Sequence, residues 1–391
     1  MRILHLINTL NPAYGGPVES VKQLGLAVQR MGATLEIAVC GDVPDDPWIE
    51  AFPLRVYALG PGWGKYAYTP RLRPWLERHG ADYDAWVVNG IWQYQSFCAR
   101  RAAAKLGMPY FVYVHGMLDP WSRRAHPVKY LKKLVYWTLF ERWALRSAKA
   151  VFFTADEEAA LAAAYFPFGA WKSFVIGAGV SSPPPVSDAE KEAFLERFPQ
   201  LRDTRCWIFL GRLHPKKGID LVLKSVARIK AESRDVKVLI AGPGDASYVD
   251  YLRRLTKELR LADVVVFSGP LYGNDKWIAL GLSEVFLLPS HQENFGIAVA
   301  EALAAGVPVC ISDKVNIWRE IEAAQAGMVS ADNVEGTTEA LLRWSGLSGA
   351  ERLGYSARAQ ECFLANFEIG HAARRLVEIV GREQHRTGVE K

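Results

Sequence analysis

Short apolar runs, each the length of a buried β-strand, alternate with helical patterns along nearly the whole chain. A segment rich in proline and serine, residues 179–188, interrupts this alternation, which then resumes. Strands that alternate with helices pack as a parallel sheet with helices on both faces. The pattern therefore predicts an α/β fold with two Rossmann-like, doubly wound parallel sheets. The predicted strands are residues 2–8, 34–40, 85–90, 110–116, 150–155 and 172–177 before the interruption, and 206–212, 237–244, 264–270, 284–290 and 307–312 after it.

The chain length and this segment predict the domain organisation. A chain of 391 residues is expected to form two domains. We predict one domain at residues 1–178, a linker at 179–191, a second domain at 192–366 and a helical C-terminal segment at 367–391. Ligands of such sheets bind beyond the carboxyl ends of the strands, so we expect two domains facing each other across one cleft.

The composition is that of a soluble globular protein, with 50% apolar and 23% charged residues. The five cysteines are scattered without a CxxC motif, so we expect reduced thiols and neither a disulfide framework nor a zinc site. The N-terminus begins directly as a strand, without the pattern of a secretory signal. No apolar run reaches the length of about 18 residues that a spanning helix needs. These features predict a cytoplasmic protein.

Positive charge is concentrated in one part of the chain. Residues 100–149 hold eleven lysines and arginines against two acids, an excess of nine charges, whereas the whole chain has a net charge of +5. Residues 126–150 read as a basic amphipathic helix, a pattern that suits either an anionic membrane surface or an ordinary surface helix packed on the sheet. Nucleic-acid binding is disfavoured because no recognised module accompanies the charge.

Two glutamates, Glu293 and Glu301, lie eight residues apart in the sequence SHQENFGIAVAEALAAGVP at 290–308. A predicted strand precedes them, and an alanine-rich helical pattern begins between them. The start of a helix presents free backbone N–H groups to an anion. One carboxylate would lie in the loop and the other about 9 Å along the helix axis, at 1.5 Å per residue. This arrangement suits a sugar joined through a diphosphate to a nucleoside.

Arg212 and Lys217 follow another predicted strand, in the sequence GRLHPKKG at 211–218. A guanidinium and an ammonium at the carboxyl end of a strand suit a diphosphate, and a solvated basic turn is the alternative interpretation. Since no Asp-x-Asp motif stands at a strand end, we expect no metal, with these two cations in its place.

Two features of the first half also fall at predicted strand ends. Gly15 and Gly16 lie in the first strand–helix loop, where glycine allows close approach to a ligand, although a plain tight turn explains them too. This loop is not GxGxxG, which argues against a dinucleotide-binding domain. His115 ends a strong strand and is followed by Gly116, which favours a site residue over a core histidine. Aromatic residues nearby would stack on sugars or pack in the core (Trp63, Tyr66, Tyr68 and Trp92).

The spaced glutamates, with Asn294-Phe295-Gly296 between them and an AAGVPV tail at 304–309, resemble the signature of retaining glycosyltransferases of the GT-B fold. The resemblance is greatest to family 4, whose bacterial members build cell-surface and exopolysaccharide chains. It implies an N-terminal acceptor domain, a C-terminal nucleotide-sugar domain and a last helix that crosses back to the first domain. It also implies retention by front-face attack, with the leaving phosphate as base and no covalent intermediate.

The resemblance implies a role for each motif residue. The catalytic group comprises a histidine at the donor sugar, a glutamate at its hydroxyls near C3 and C4, and two phosphate-binding cations: His115, Glu293, Arg212 and Lys217. The donor-binding group provides backbone contacts to phosphates, sugar and nucleobase, and a carboxylate for the ribose hydroxyls: Gly15, Gly16, Gly242, Leu271, Tyr272, Asn294, Phe295, Gly296, Ile297 and Glu301.

The expected activity is hexosyl transfer from a nucleotide sugar to a saccharide acceptor, with UDP-glucose as the favoured donor and GDP-mannose as the alternative. The acceptor is expected to be lipid-linked, at the inner membrane surface. Three other classes fit less well. An epimerase would lack the spaced glutamates, a non-catalytic sugar-binding protein would need a secretory signal, and a sucrose- or glycogen-type synthase would use a soluble acceptor.

Overall fold

The computed structural model describes residues 1–119, 127–166, 170–230 and 235–385. The chain divides into two compact units, one made of Met1–Gly179 and the C-terminal residues from Ile369, the other of Val180–Glu368. Each unit is built around its own parallel sheet.

The first unit has seven parallel strands within its described residues, in the order β3-β2-β1-β4-β5-β6-β7. The strands are β1 (Arg2–Ile7), β2 (Thr34–Val39), β3 (Val56–Ala58), β4 (Ala85–Asn89), β5 (Tyr110–Tyr113), β6 (Ala150–Phe153) and β7 (Ser173–Val175). The helices are α1 (Gly16–Arg30), α2 (Pro47–Glu50), α3 (Leu72–His79), α4 (Tyr94–Leu106), α5 (Pro127–Tyr136), α6 (Arg142–Ser147), α7 (Asp156–Tyr165) and a C-terminal helix (Ile369–His385).

Both faces of this sheet are buried because successive side chains of a strand point to opposite sides. Leu4 and Leu6 of β1 join a core with α3, α4 and α6, whereas Ile3 and Ile7 join a core with α1 and the C-terminal helix. Complete burial of one such side chain contributes roughly 1.5–3 kcal/mol. The sheet is therefore doubly wound, and its polar loops gather at the strand ends.

The second unit has six parallel strands in its described part, in the order β10-β9-β8-β11-β12-β13. The strands are β8 (Arg205–Leu210), β9 (Val236–Ala241), β10 (Val265–Gly269), β11 (Ser283–Leu288), β12 (Val309–Ser312) and β13 (Gly327–Ser330). The helices are α8 (Asp188–Arg197), α9 (Ile219–Arg228), α10 (Ala246–Glu258), α11 (Asn274–Gly281), α12 (Ile297–Ala304), α13 (Trp318–Ala323), α14 (Val334–Ser345) and α15 (Gly349–Cys362).

These two sheets confirm the predicted fold class. Two edge strands, β3 with three residues and β13 with four, were not predicted. Helix α8 begins at Asp188, inside the stretch 179–191 that was predicted as a linker, where Ser187 and Glu190 form a capping box. The helix predicted at 126–150 is divided: α5 and α6 are joined by a π-helical turn, Trp137–Glu141, and residue 126 lies outside the described residues.

Glu284 connects strands β8 and β11 of the second unit to helix α14. Its carboxylate accepts hydrogen bonds from Arg205 Nε at 3.0 Å, Trp207 Nε1 at 2.6 Å and Trp344 Nε1 at 3.1 Å. Although burial alone would raise the pKa of Glu284, these donors lower it below its usual value. The ionised carboxylate therefore stabilises the folded unit.

We predict that Glu284→Gln lowers the free energy of unfolding at pH 7 by about 1.5–3 kcal/mol, the range for hydrogen bonds to a charged group. A lowered native pKa gives stability that is complete above the unfolded pKa, about 4.3, and is lost as the pH falls through the native value. The difference between wild type and variant should therefore shrink below about pH 4. Urea unfolding followed by tryptophan fluorescence at each pH measures this. The control is Glu335→Gln at an exposed ion pair with Arg228. If Glu284→Gln lowered the free energy of unfolding equally at pH 7 and below about pH 4, the role of the ionised carboxylate would be contradicted.

Candidate functional site

In the second unit, the loops after β8 and β11 approach each other closely at the carboxyl edge of the sheet. Gly218, between the first loop and α9, has a φ of +68°, and a Cβ at this position would lie 2.1 Å from the Pro289 carbonyl oxygen. Only glycine fits such a contact without displacing backbone.

Hydrogen bonds tie these two loops together through one carbonyl group. The Lys216 carbonyl oxygen accepts the His291 N–H at 2.8 Å and the Ser290 hydroxyl at 3.0 Å. The Ser312 hydroxyl, from the end of β12, donates to the Ser290 carbonyl at 2.5 Å. Three strand ends thus hold the two loops in one arrangement.

This arrangement brings two of the predicted catalytic residues, Lys217 and Glu293, into contact. Lys217 Nζ forms an ion pair with Glu293 Oε2. The backbone of Glu293 is held on both sides, since its N–H donates to the Lys314 carbonyl at 2.9 Å and its carbonyl accepts the Asn316 N–H at 3.1 Å. Burial and the neighbouring cations lower the pKa of Lys217 to about 8, although the Glu293 carboxylate beside it favours the charged form.

Glu301 lies on α12 and is 7% exposed. Lys276 of α11 donates from Nζ to Glu301 Oε1 at 2.6 Å and also lies over the Trp277 ring, 4.7 Å from its centroid. Sequence analysis did not favour a site role for Lys276, because a capped helix start explains this residue equally well and two residues on separate helices show no pattern that joins them. Gly296 precedes α12 in the left-handed conformation, so Ile297 is the first residue of the helix.

One further predicted catalytic residue, Arg212, and three predicted donor-binding residues of this unit differ in exposure. Arg212 is exposed, and so is Tyr272, at 73%, whereas Leu271 and Gly242 are buried. Gly242 has a φ of +144° and lies so close to Gly211 that no side chain fits there.

Two further donor residues lie in the loop before α12. The Phe295 side chain is buried against Phe367, with ring centroids 5.7 Å apart, so only its backbone would be available to a ligand. Asn294 Oδ1 accepts a long hydrogen bond from Asn316 Nδ2, at 3.4 Å.

In the first unit, Gly15 and Gly16 lie where the loop after β1 becomes α1, and both are exposed. The start of this loop is fixed by Asp42, a buried residue just beyond β2. Its carboxylate accepts the Thr9 hydroxyl at 2.6 Å and the Leu10 N–H at 2.7 Å. Sequence analysis did not identify Asp42, although an acid two residues beyond a predicted strand was a signal.

His115 follows β5 with a φ of +47°, unusual for a residue other than glycine. Its ring stacks on Tyr113, with centroids 4.0 Å apart, and its Nε2 lies 3.0 Å from Asn89 Oδ1. Burial lowers the pKa of His115 to about 3, so the ring is neutral near pH 7. Glu158 supports the following residue by accepting the Gly116 N–H.

The aromatic residues of the first unit are of two kinds. Trp63 is 69% exposed and Tyr68 is 40% exposed, which suits stacking on a ligand. Trp92 is packed instead, and its backbone N–H donates to the buried Glu141 carboxylate at 3.1 Å, beside the Ser96 hydroxyl at 3.2 Å. Burial raises the pKa of Glu141 to about 7.

Neither a metal cluster nor a spanning helix is found in the part of the chain that the structure describes. No three His, Cys, Asp or Glu side chains converge there as metal ligands. None of its helices combines the length and apolar character needed to cross a bilayer.

Two family models match the chain, one in each unit. Residues 15–179 match the Glycosyl transferase 4-like domain, and residues 191–360 match Glycosyl transferases group 1. The sheets and these matches define a protein of the GT-B type, with a glycosyltransferase 4-like domain followed by a group 1 domain.

Known proteins resemble the chain in sequence or in fold. Phosphatidyl-myo-inositol mannosyltransferase of Mycolicibacterium smegmatis is 34% identical over 165 residues, which are 41% of this chain and 41% of that protein. A glycosyltransferase from Rickettsia africae has a TM-score of 0.78 at 15% identity, covering 98% of both chains. Anabaena Alr3699/HepE, in complex with UDP and glucose, has a TM-score of 0.74 at 16% identity, covering 98% of this chain and 100% of that one. The structural likeness at these identities shows a shared fold, and the sequence match covers less than half of the relative.

We predict that the affinity for a nucleoside diphosphate, probed with UDP, decreases as the pH rises above about 8, where Lys217 loses its proton. The decrease should reach at most tenfold per pH unit. Lys217→Arg should bind with little change between about pH 7.5 and 9.5, because a guanidinium stays charged there. Isothermal titration calorimetry at each pH measures the UDP affinity of the wild type and of Lys217→Arg. The control is Lys216→Arg, which should keep the pH dependence of the wild type. A wild-type affinity independent of pH would contradict this role of Lys217.

Proposed function

We propose that this protein transfers a hexosyl group from a nucleotide sugar to a saccharide acceptor, with retention of anomeric configuration. The observation that carries the proposal is the presence of two partly buried ion pairs, Lys217–Glu293 and Lys276–Glu301, on either side of the start of α12. Polar side chains so held at the carboxyl edge of a parallel sheet are typical of a ligand site.

The diphosphate of the donor would bind the cations and the amides of this edge. Arg212 is exposed and able to form a two-pronged contact with phosphate, and Lys217 lies at the same loop. The first two N–H groups of α12, at Ile297 and Ala298, add donors for an anion, since the following two donate to the Gly296 carbonyl. In the reaction these groups stabilise the charge that develops on the departing nucleotide, which is the role otherwise given to a metal.

The two carboxylates would hold the ends of the donor. Glu301 accepts hydrogen bonds from the ribose hydroxyls, and Glu293 accepts them from hydroxyls of the transferred sugar. Because Glu293 is already paired with Lys217, its ionised form is held as an acceptor and not as an attacking nucleophile. We therefore propose front-face attack by the acceptor hydroxyl, with a phosphate oxygen of the leaving nucleotide accepting the proton, rather than a covalent glycosyl-enzyme.

UDP-glucose is the favoured donor, and GDP-mannose is the alternative. The structure of Anabaena Alr3699/HepE with UDP and glucose supports the first choice through a shared fold. The mannosyltransferase of Mycolicibacterium smegmatis, similar over part of the chain, supports the second. The contacts that select a nucleobase, near Leu271 and Tyr272, involve the backbone, so their residue types do not favour one base.

We predict that UDP stabilises the purified protein in thermal-shift measurements more than GDP or ADP, and equally with and without magnesium. Glu301→Ala should weaken UDP binding by about 10- to 100-fold, corresponding to the loss of about 1.5–3 kcal/mol from hydrogen bonds to a charged group. Glu335→Ala, at an exposed ion pair of the same unit, is the matched control. NMR of the sugar released from UDP-glucose should show the α configuration first.

Each of the other outcomes of these measurements would indicate a different function. Selective stabilisation by GDP would indicate mannosyl transfer. If the protein bound UDP but neither released nor transferred the sugar of a UDP-sugar, it would be a non-catalytic sugar-binding protein. No response to any nucleotide, in wild type and Glu301→Ala alike, would refute the donor site itself.

We further propose that the acceptor is lipid-linked and that the first unit docks on the cytoplasmic face of the inner membrane, in exopolysaccharide or cell-surface glycan synthesis. Helix α5 and the π-helical turn after it carry apolar side chains that are 37% to 62% exposed. Exposed cations, Lys132 and Arg146, accompany them. An apolar stripe with flanking cations suits an anionic lipid surface, where each cation contributes roughly 1 kcal/mol. The apolar residues are Leu131, Leu134, Val135, Leu139 and Phe140.

We predict that the protein co-sediments with vesicles containing phosphatidylglycerol, and much less with pure phosphatidylcholine vesicles or at high salt. Replacing Leu131, Val135 and Leu139 by serine should weaken vesicle binding by at least about tenfold, because three exposed apolar side chains that would enter the lipid surface are lost. Leu353→Ser, an exposed leucine of the second unit at 73% exposure, is the control. Equal co-sedimentation of wild type and triple variant would refute membrane docking and favour a soluble acceptor.

A further inference from the structure

Three polar side chains form a hydrogen-bonded chain inside the sheet of the first unit. His5 in β1 is 0% exposed and Asn89 at the end of β4 is 2% exposed. Asn89 Nδ2 lies 3.0 Å from His5 Nδ1, and Asn89 Oδ1 lies 3.0 Å from His115 Nε2. The chain runs from the centre of the sheet to its carboxyl edge, where His115 is partly exposed.

The orientation of the Asn89 amide is determined by the backbone around it. Its Nδ2 lies 3.2 Å from the Val87 carbonyl oxygen and 3.4 Å from that of Leu6. Carbonyl oxygens only accept hydrogen bonds, so the atom facing them must be the NH₂ group. The oxygen of the amide therefore faces His115.

This orientation fixes the protonation of both imidazole rings. His115 Nε2 must carry a proton, because its partner Asn89 Oδ1 only accepts. His5 Nδ1 must be without one, because it accepts from the NH₂ group. Burial holds both rings neutral by lowering the pKa of each to about 3. His115 Nδ1 is thus a bare acceptor, since a neutral ring carries one proton.

Packing alone does not explain why residue 5 is a histidine. It stands between Leu4 and Leu6 in a buried strand, and its Nε2 is buried without a hydrogen-bond partner among the described residues. Leaving such a group unpaired costs about 1–3 kcal/mol. An apolar residue would avoid that cost but would give the Asn89 amide no side-chain acceptor.

We propose that Asn89 and His5 are positioning residues that hold His115 as the Nε2–H tautomer, so that its Nδ1 accepts a hydrogen bond from a hydroxyl group of the donor sugar. The contact with sugar rests on the proposed function, whereas the tautomer does not. Stacking on Tyr113, whose hydroxyl is bonded to the Gly177 carbonyl at 2.6 Å, restrains the ring from turning. His115 Nδ1 then selects a sugar by accepting a hydrogen bond from one of its hydroxyl groups, and does not donate to a sugar oxygen.

The tautomer is tested by NMR on the full chain labelled with ¹⁵N-histidine. Long-range ¹H–¹⁵N correlation at pH 7 should show His115 protonated at Nε2 only, with assignments from His115→Gln and His5→Gln. Asn89→Leu removes the amide and should shift His115 toward a mixture of tautomers. A proton on Nδ1 of His115 in the wild type, or an unchanged pattern in Asn89→Leu, would overturn the proposal.

The consequence for catalysis is tested separately. Asn89→Leu should lower kcat for sugar release from UDP-glucose by about 10- to 100-fold, the range known for groups that orient metal-binding histidines through a hydrogen bond. It should leave the Kd for UDP unchanged. Tyr83→Phe removes a different buried hydrogen bond of the same sheet, to Glu36 at 2.5 Å, and controls for loss of stability.

The two readouts separate the two proposals. The expected tautomer without turnover of any nucleotide sugar would count against the proposed function and leave the positioning role standing. Turnover that Asn89→Leu does not change, with UDP binding intact, would overturn the positioning role alone.

Discussion

Burial of both faces of each parallel sheet is the constraint on which the rest of the molecule depends. Side chains inside the strands are used for packing, so polar groups concentrate where strands end. In the second unit these ends carry Lys217, Glu293 and the start of α12, and in the first they carry Gly15 and His115. The residues of the proposed site therefore lie at strand ends, and within each unit the apolar strands bring those ends close to one another.

Charge within the candidate donor site is balanced before any ligand arrives. Each of its two carboxylates faces a lysine, Glu293 with Lys217 and Glu301 with Lys276. Unpaired charges at such depth would be costly, since desolvation penalises each of them. A ligand with both negative phosphates and neutral hydroxyls can keep each of these side chains hydrogen-bonded, because phosphates meet the cations and hydroxyls meet the carboxylates.

The sequence predicted those features that depend on residues close together in the chain. The doubly wound sheets, the helix start between Glu293 and Glu301, and the glycines at strand ends all follow from local patterns. Contacts set by strand order did not follow. His5 and Asn89 meet because β1 pairs with β4, with His5 opposite Val87, and nothing local to either residue indicates this. The contact of Lys276 with Glu301 is likewise set by packing, here between two helices. Asp42, two residues beyond a predicted strand, had a local signal that was not used, and the edge strands β3 and β13 were missed.

The shared carbonyl of Lys216 has a consequence for how a bound nucleotide would leave. The His291 N–H and the Ser290 hydroxyl both bond to it, so the segment carrying Lys217 cannot swing away from the segment carrying Glu293 without breaking both bonds. We expect these two loops to move together as one rigid body. Product departure would then be timed by the loss of contacts to the ligand itself, and tighter phosphate binding would slow turnover.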